Sequence, residues 1–105
     1  MMRSIREVAR VIRSKNAGPY ELTLDVIFSE RRHFELFRER GIIDAALVSR
    51  LYGVSASDVR GVVYFAPANA VKVTIRRRMP SGSPGDTDIY GAQQHAPLLS
   101  IEFEE

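Results

Sequence analysis

From Glu21 to Phe28 the chain alternates, with Leu22, Leu24, Val26 and Phe28 on one side and Glu21, Thr23 and Asp25 on the other; Ile27 is the single exception. Val71, Val73 and Ile75 alternate in the same way with Lys72, Thr74 and Arg76. A period of two sends successive side chains to opposite faces of a strand, so each segment has one face on a core and one face turned away from it. The simplest way to bury two such strands is an antiparallel sheet with helices on one face.

The remaining segments supply the covering layer. Ser4-x-x-Glu7 has the spacing of a capping box, and Ile5, Val8, Ala9 and Ile12 follow at helical intervals, which predicts a helix over residues 4–13. Asn16-Ala17-Gly18-Pro19 breaks it into a turn. Ser29 is placed to cap a helix over residues 30–40, with Phe34 and Phe37 on one face and Gly41 as its stop. Asp44 is placed to cap a second helix, whose apolar stripe is Leu47, Val48, Leu51 and Tyr52 and whose end is Gly53. Val62-Val63-Tyr64-Phe65 and the run Val71 to Ile75, separated by Pro67-Ala68-Asn69, predict a hairpin. Tyr64, Phe65 and Phe34 read as core, and His33, among Arg31, Arg32 and Glu35, reads as surface. Residues 80–87 hold two Pro, two Gly and two Ser and predict a loop. Asp88 is placed to cap a short helix over residues 89–96, and Leu98 to Phe103 supply a last strand. The order helix, strand, two helices, hairpin, helix, strand predicts a single α+β domain over residues 1–105: a two-layer ferredoxin-like sandwich, mainly antiparallel sheet with helices on one face.

Composition removes classes rather than selecting one. The 105 residues suit one core, and 45% hydrophobic with 27% charged residues are globular values. No run approaches the ~20 apolar residues of a transmembrane helix. Arg6, Glu7, Arg10 and Arg13 interrupt the N-terminal segment where the apolar stretch of a leader would sit, so no membrane partner and a cytoplasmic location are expected. Without cysteine there is no disulfide framework, thiolate zinc site or cysteine nucleophile. A formal net charge of +2, with basic residues spread along the chain, gives no reason to expect a nucleic-acid partner. Arg76-Arg77-Arg78 is the only local excess of charge, and no aromatic platform flanks it.

Two polar, glycine-punctuated segments carry the candidate chemistry. In Arg13 to Pro19, Arg13 and Lys15 are cationic donors, Ser14 and Asn16 are neutral hydrogen-bonding groups, and Gly18 permits close backbone approach, a set suited to a carboxylate or phosphate. The same residues also suit a helix C-terminus, where cations complement the dipole and Gly-Pro ends the element. In the second segment Ser81-Gly82-Ser83-Pro84-Gly85 can present backbone N–H groups to an anion, without the lysine or spacing of a P-loop. Asp86 and Asp88 are too few for an all-protein Mg²⁺ site and equally suit a solvated loop and a helix cap, so no metal is expected. Tyr90, Gln93 and Gln94 add polar contacts, and consecutive Gln93, Gln94 and His95 would point in different directions on a helix. His95 is a candidate general acid or base, with Asp86 as a second proton carrier; a hydrogen-bonded structural histidine is the alternative. Lys72 stands on the strand face opposite Val71, Val73 and Ile75, either simply exposed or reaching into a cleft, where a Schiff-base or carboxylate-binding role would need a perturbed setting.

The strings Val11-Ile12-Arg13-Ser14-Lys15-Asn16-Ala17-Gly18-Pro19, Glu21 to Asp25, Ala70 to Ile75 and Ser81 to Leu99 resemble a small bacterial family of unknown function, over nearly the whole chain. Members of that family are about as long as this chain and are associated with, or joined to, a larger protein similar to acyclic terpene utilisation protein A. A looser similarity links Arg13-Ser14-Lys15-Asn16-Ala17-Gly18 to an Arg-Ser-Gly-Asp-Lys-Gly turn in the ferredoxin-like small domain of larger terpene-utilisation proteins, although the order of lysine and the acidic or amide residue differs.

The resemblance implies a partner-dependent role, in which this domain completes or covers an active site that hydrates or dehydrates a branched acyl or carboxylic-acid substrate. Arg13, Lys15 and Asn16 would hold a carboxylate or CoA phosphate, the 81–95 segment would close over the substrate, and His95 or Asp86 would move a proton. It names no cofactor and leaves the oligomeric state open. The rival reading is a non-catalytic protein-interaction or small-anion-binding domain, a common use of such folds.

Overall fold

A computed structural model of the chain describes residues 1–18, 20–76 and 95–105. Strand β1 (Met2–Ser4) leads into a single turn of helix, α1 (Ile5–Val8), then β2 (Ala9–Asn16), β3 (Glu21–Phe28), α2 (Arg31–Arg40), α3 (Ala45–Tyr52), β4 (Val59–Phe65), β5 (Ala70–Arg76) and β6 (Glu102–Glu104). Short 3₁₀ turns occupy Ala56–Asp58, Ala66–Ala68 and Ala96–Ser100. Strands β2 to β5 form an antiparallel sheet in the order β2-β3-β5-β4, and β1 pairs with β6 in a second, two-stranded sheet. This is the expected two-layer α+β sandwich, antiparallel sheet on one side and helices on the other, connected as hairpin, helix pair, hairpin.

The alternation read in β3 and β5 places the core. Leu22, Leu24, Val26 and Phe28 join Val71, Val73 and Ile75 on the inner face, against Phe34 and Phe37 of α2 and Val48 of α3. Phe28 and Phe37 sit with ring centroids 4.7 Å apart, and Phe37 meets Phe103 edge-on at 5.0 Å. Ile5, Leu98, Ile101 and Phe103 bring the two chain ends into the same core. Tyr64 ties the sheet to the loop before α3: its hydroxyl donates to the Ile43 carbonyl at 2.8 Å and accepts from the Ile43 N–H at 3.1 Å.

Local stop and start signals hold for the helix pair. Asp44 caps α3, its Oδ1 accepting from the Leu47 N–H at 2.8 Å, and Gly41 and Gly53 end α2 and α3 in the left-handed conformation. Ser29 is not the cap of α2, however. Glu30 occupies that position without a side-chain bond, and the Ser29 N–H is spent on the Val8 carbonyl at 3.0 Å.

Four further expectations are corrected. The helix over residues 4–13 ends at Val8. The capping box does form, with Ser4 accepting from the Arg6 N–H and Glu7 accepting from the Ser4 N–H, but Ala9 onward pairs with β3. One short isolated helix satisfies its backbone less well than a ladder seven pairs long, so the long-range partner wins. The strand expected from Leu98 to Phe103 is instead a 3₁₀ turn over Ala96–Ser100 followed by β6. Phe65 is 47% exposed, because β4 points Val62 and Tyr64 at the core and therefore Val63 and Phe65 away from it. His33 is buried, on the same side of α2 as Phe34 and Phe37. The loop expected over residues 80–87 and most of the helix over 89–96 lie outside the described residues.

Candidate functional site

Sheet register sorts the candidate residues by face. On the outer face of the four-stranded sheet three rows run across the strands. Val11, Ile27, Ala70 and Phe65 form an apolar row; Arg13, Asp25, Lys72 and Val63 form the next; Lys15, Thr23, Thr74 and Gly61 form the third. Glu21 and Arg76 pair beyond it. No element among the described residues packs on this face.

The middle row holds the chemistry. Arg13 donates through Nε to Asp25 Oδ2 at 3.0 Å. Asp25 is only 3% exposed, although it stands on the outer face, and its Oδ1 has no hydrogen-bond partner among the described residues. Lys72 is the register neighbour of Asp25 on β5; it is exposed and forms no ion pair among the described residues. Directly opposed side chains on antiparallel strands have Cβ atoms about 5 Å apart, so Lys72 lies within Coulombic reach of the carboxylate without being bonded to it. A cation left available beside a compensated one is an arrangement suited to an incoming carboxylate or phosphate.

The other candidates are distributed elsewhere. Lys15 shares the outer face one row on, exposed. Ser14 and Asn16 stand on the inner face opposite Leu24 and Leu22, and neither is without a partner. Gly18 sits in the β2–β3 turn at φ 116°, a conformation that disfavours any side chain, and a Cβ there would meet nothing within 4 Å. Its requirement is therefore the turn itself. His95 is half-buried and partnered, and its carbonyl accepts the Leu98 N–H at 2.9 Å. The 3₁₀ turn that it opens packs against α1 and α3, on the helical side of the sheet, so His95 is not part of the Arg13–Lys72 row. Ser81, Ser83, Asp86, Asp88, Tyr90, Gln93 and Gln94, with Arg77 and Arg78, lie outside the described residues.

Two residues were missed in the sequence. Asp25 reads there as one more polar position of an alternating strand; only the register shows it between two cations. His33 had a visible signal, since positions 33, 34 and 37 share one helical face with two phenylalanines. Its Nε2 lies 2.8 Å from Glu105 Oε2, while Nδ1 has no partner among the described residues. Arg3 also binds Glu105, and Arg32 approaches it at 3.8 Å. These contacts, Arg3 first and His33 second, hold the Glu105 carboxyl down to about 2. Burial pushes the Tyr64 hydroxyl up. Among the described residues no group of three or more His, Asp or Glu side chains is placed to hold a metal ion, and no helix is long and apolar enough to cross a membrane.

A family profile described as a domain of unknown function, DUF4387, matches residues 5–102. The chain belongs to this family. The DUF4387 match runs from α1 to the first residue of β6, so all three outer-face rows lie within the family domain. No curated protein and no solved structure matches the chain.

Proposed function

We propose that this protein is the small accessory subunit of a cytoplasmic, two-component hydro-lyase, acting with a larger acyclic terpene utilisation protein A-like partner on a branched acyl or carboxylic-acid substrate. The observation that carries the reading is the row Arg13–Asp25–Lys72 on an outer sheet face over which no described element lies. Asp25 tethers Arg13 through Nε and fixes its positive charge at one point, while the Lys72 ammonium keeps its donors for an oxyanion. Lys15 extends the cationic stretch toward the β2–β3 turn. Together they form one side of a carboxylate or phosphate site that the larger protein would complete. The resemblance supplies the reaction class, and in it proton transfer falls to His95 or Asp86.

A second reading, a non-catalytic interaction or small-anion-binding domain, is favoured by the position of His95. The outer-face row has cations and one carboxylate already held by Arg13, with His95 on the other side of the sheet.

Co-purification with the larger protein, and turnover of branched 2-enoic and 3-hydroxy acids and their CoA thioesters, tests the proposal. Turnover is expected only from the two proteins mixed, and Lys72→Ala should lower it while the complex still forms. Turnover by the isolated chain rejects the accessory role. A stable complex whose activity equals that of the larger protein alone moves the assignment to the second reading.

A further inference from the structure

The outer sheet face is graded from apolar to polar, and no contact among the described residues accounts for the grading. Val63 is 56% exposed and Phe65 47%, two residues apart on the same side of the edge strand β4. Large apolar side chains set together on a sheet face mark a contact surface rather than scattered exposure. Beside them Gly61 leaves a gap: a Cβ there would meet no heavy atom within 4 Å, and the residue is not among those with positive φ. Packing among the described residues does not call for glycine at this point, which closes the register shift between Val59 and Gly61 in the β4–β5 ladder. A depression next to two apolar side chains is what a partner's side chain needs in order to seat.

Charge decides between occupants. Among the described residues of these paired strands, Arg13, Lys15, Lys72 and Arg76 share this face with Asp25 and Glu21, and Asp25 is already held by Arg13. A second copy laid face to face would set these cations against their own kind, whereas an acidic surface would meet them with opposite charge. We infer that the outer face of the β2-β3-β5-β4 sheet is a docking surface for a different protein, one that presents carboxylates toward Arg76 at the end of β5 and an apolar side chain that seats against Val63 and Phe65 over Gly61. The inference rests on the two-component reading and specifies which face makes the joint.

The test is calorimetric titration of the larger acyclic terpene utilisation protein A-like protein with four forms of this chain: wild type, Phe65→Ser, Gly61→Val, and Arg50→Glu as a control on the exposed side of α3. Gly61→Val places a β-branched residue at an open strand position, so it keeps the fold intact and isolates the contact; its melting temperature should equal or exceed that of wild type. Phe65→Ser and Gly61→Val should each weaken binding by at least about tenfold, Arg50→Glu should not, and wild-type affinity should fall as salt rises. Equal affinity of all four forms overturns the docking face and leaves the two-component reading standing. No binding by wild type overturns both. Sedimentation of the isolated chain as a dimer that Phe65→Ser dissociates overturns the choice of occupant in favour of a second copy.

Discussion

Removing Arg13 and removing Asp25 break the same 3.0 Å ion pair, yet the two substitutions should have different consequences. The Arg13 side chain is 58% exposed and that of Asp25 only 5%. In Arg13→Ala the buried carboxylate, whose Oδ1 has no partner among the described residues, loses its bonded cation and keeps Lys72 on the neighbouring strand. Stripping a fully buried pair of one partner costs about 3–5 kcal/mol; here the lost partner is largely in water and Lys72 remains, which brings the expectation down to about 2 kcal/mol. Asp25→Thr removes the burial cost together with the charge, leaves a guanidinium that water solvates, and gives β3 a β-branched residue, so its net effect should stay within about 0.5 kcal/mol. At roughly 4–8 °C per kcal/mol for a domain of about this size, Arg13→Ala should lower Tm by about 10 °C and Asp25→Thr by no more than a few degrees. Urea denaturation of both single variants and the double variant, fitted with a common slope, reads the difference. The double variant should be about as stable as Asp25→Thr, because the unpaired carboxylate is gone. Equal destabilisation by the two single changes would refute the argument, showing that the pair contributes net stability and that Asp25 is not a buried cost retained for use at the surface.

Three other outcomes follow from the geometry. Phe37→Ala, which empties a fully buried site between Phe28 and Phe103, should cost about 3–5 kcal/mol in chemical denaturation. Gly41→Ala should cost about 1 kcal/mol through backbone strain alone, since its φ is 59° and a Cβ would meet nothing within 4 Å; Gly41→Asn, which tolerates that conformation, should cost less. Glu105 is held from 4.5 down to about 2, by Arg3 foremost and then by His33. A lowered folded value means that the unfolded chain takes up the proton first, so the contribution is complete above the unfolded value and is lost as the pH falls through the folded one. Wild type should therefore melt above Glu105→Gln at about pH 6, and the gap should close as the pH approaches about 2; a gap that persists there would place the effect outside these ion pairs.

Much of the layer plan was legible because its signals are local. Alternation in Leu22 to Phe28 and Val71 to Ile75 named the half-buried strands, and Asp44, Gly41 and Gly53 marked helix ends, each through a bond or backbone angle within a few residues. Ile5, Val8, Ala9 and Ile12 misled for the same reason: they fit a helical period, and the competing strand pairing with β3 is not written in that segment. The charged neighbours of His33 in sequence point to the surface, whereas Phe34 and Phe37, with which it shares a helix face, take it into the core. In the candidate site, Arg13, Lys15 and Lys72 were visible as cations. Their union was not, nor was the separation of Ser14 and Asn16 to the other face, because alternation along β2 divides adjacent residues between faces while register joins distant ones.

The sequence alone determined that this chain is an α+β sandwich with one face of its sheet covered, since periodicity and capping are properties of short segments and survive without knowledge of their partners. Tertiary structure decided three things: that residues 9–16 are a strand, that Phe65 faces outward, and that Arg13, Asp25, Lys72 and Val63 stand in one row. All three depend on which strands pair and in what register, and a shift of one residue in that register would have exchanged the core face of each strand for its outer face.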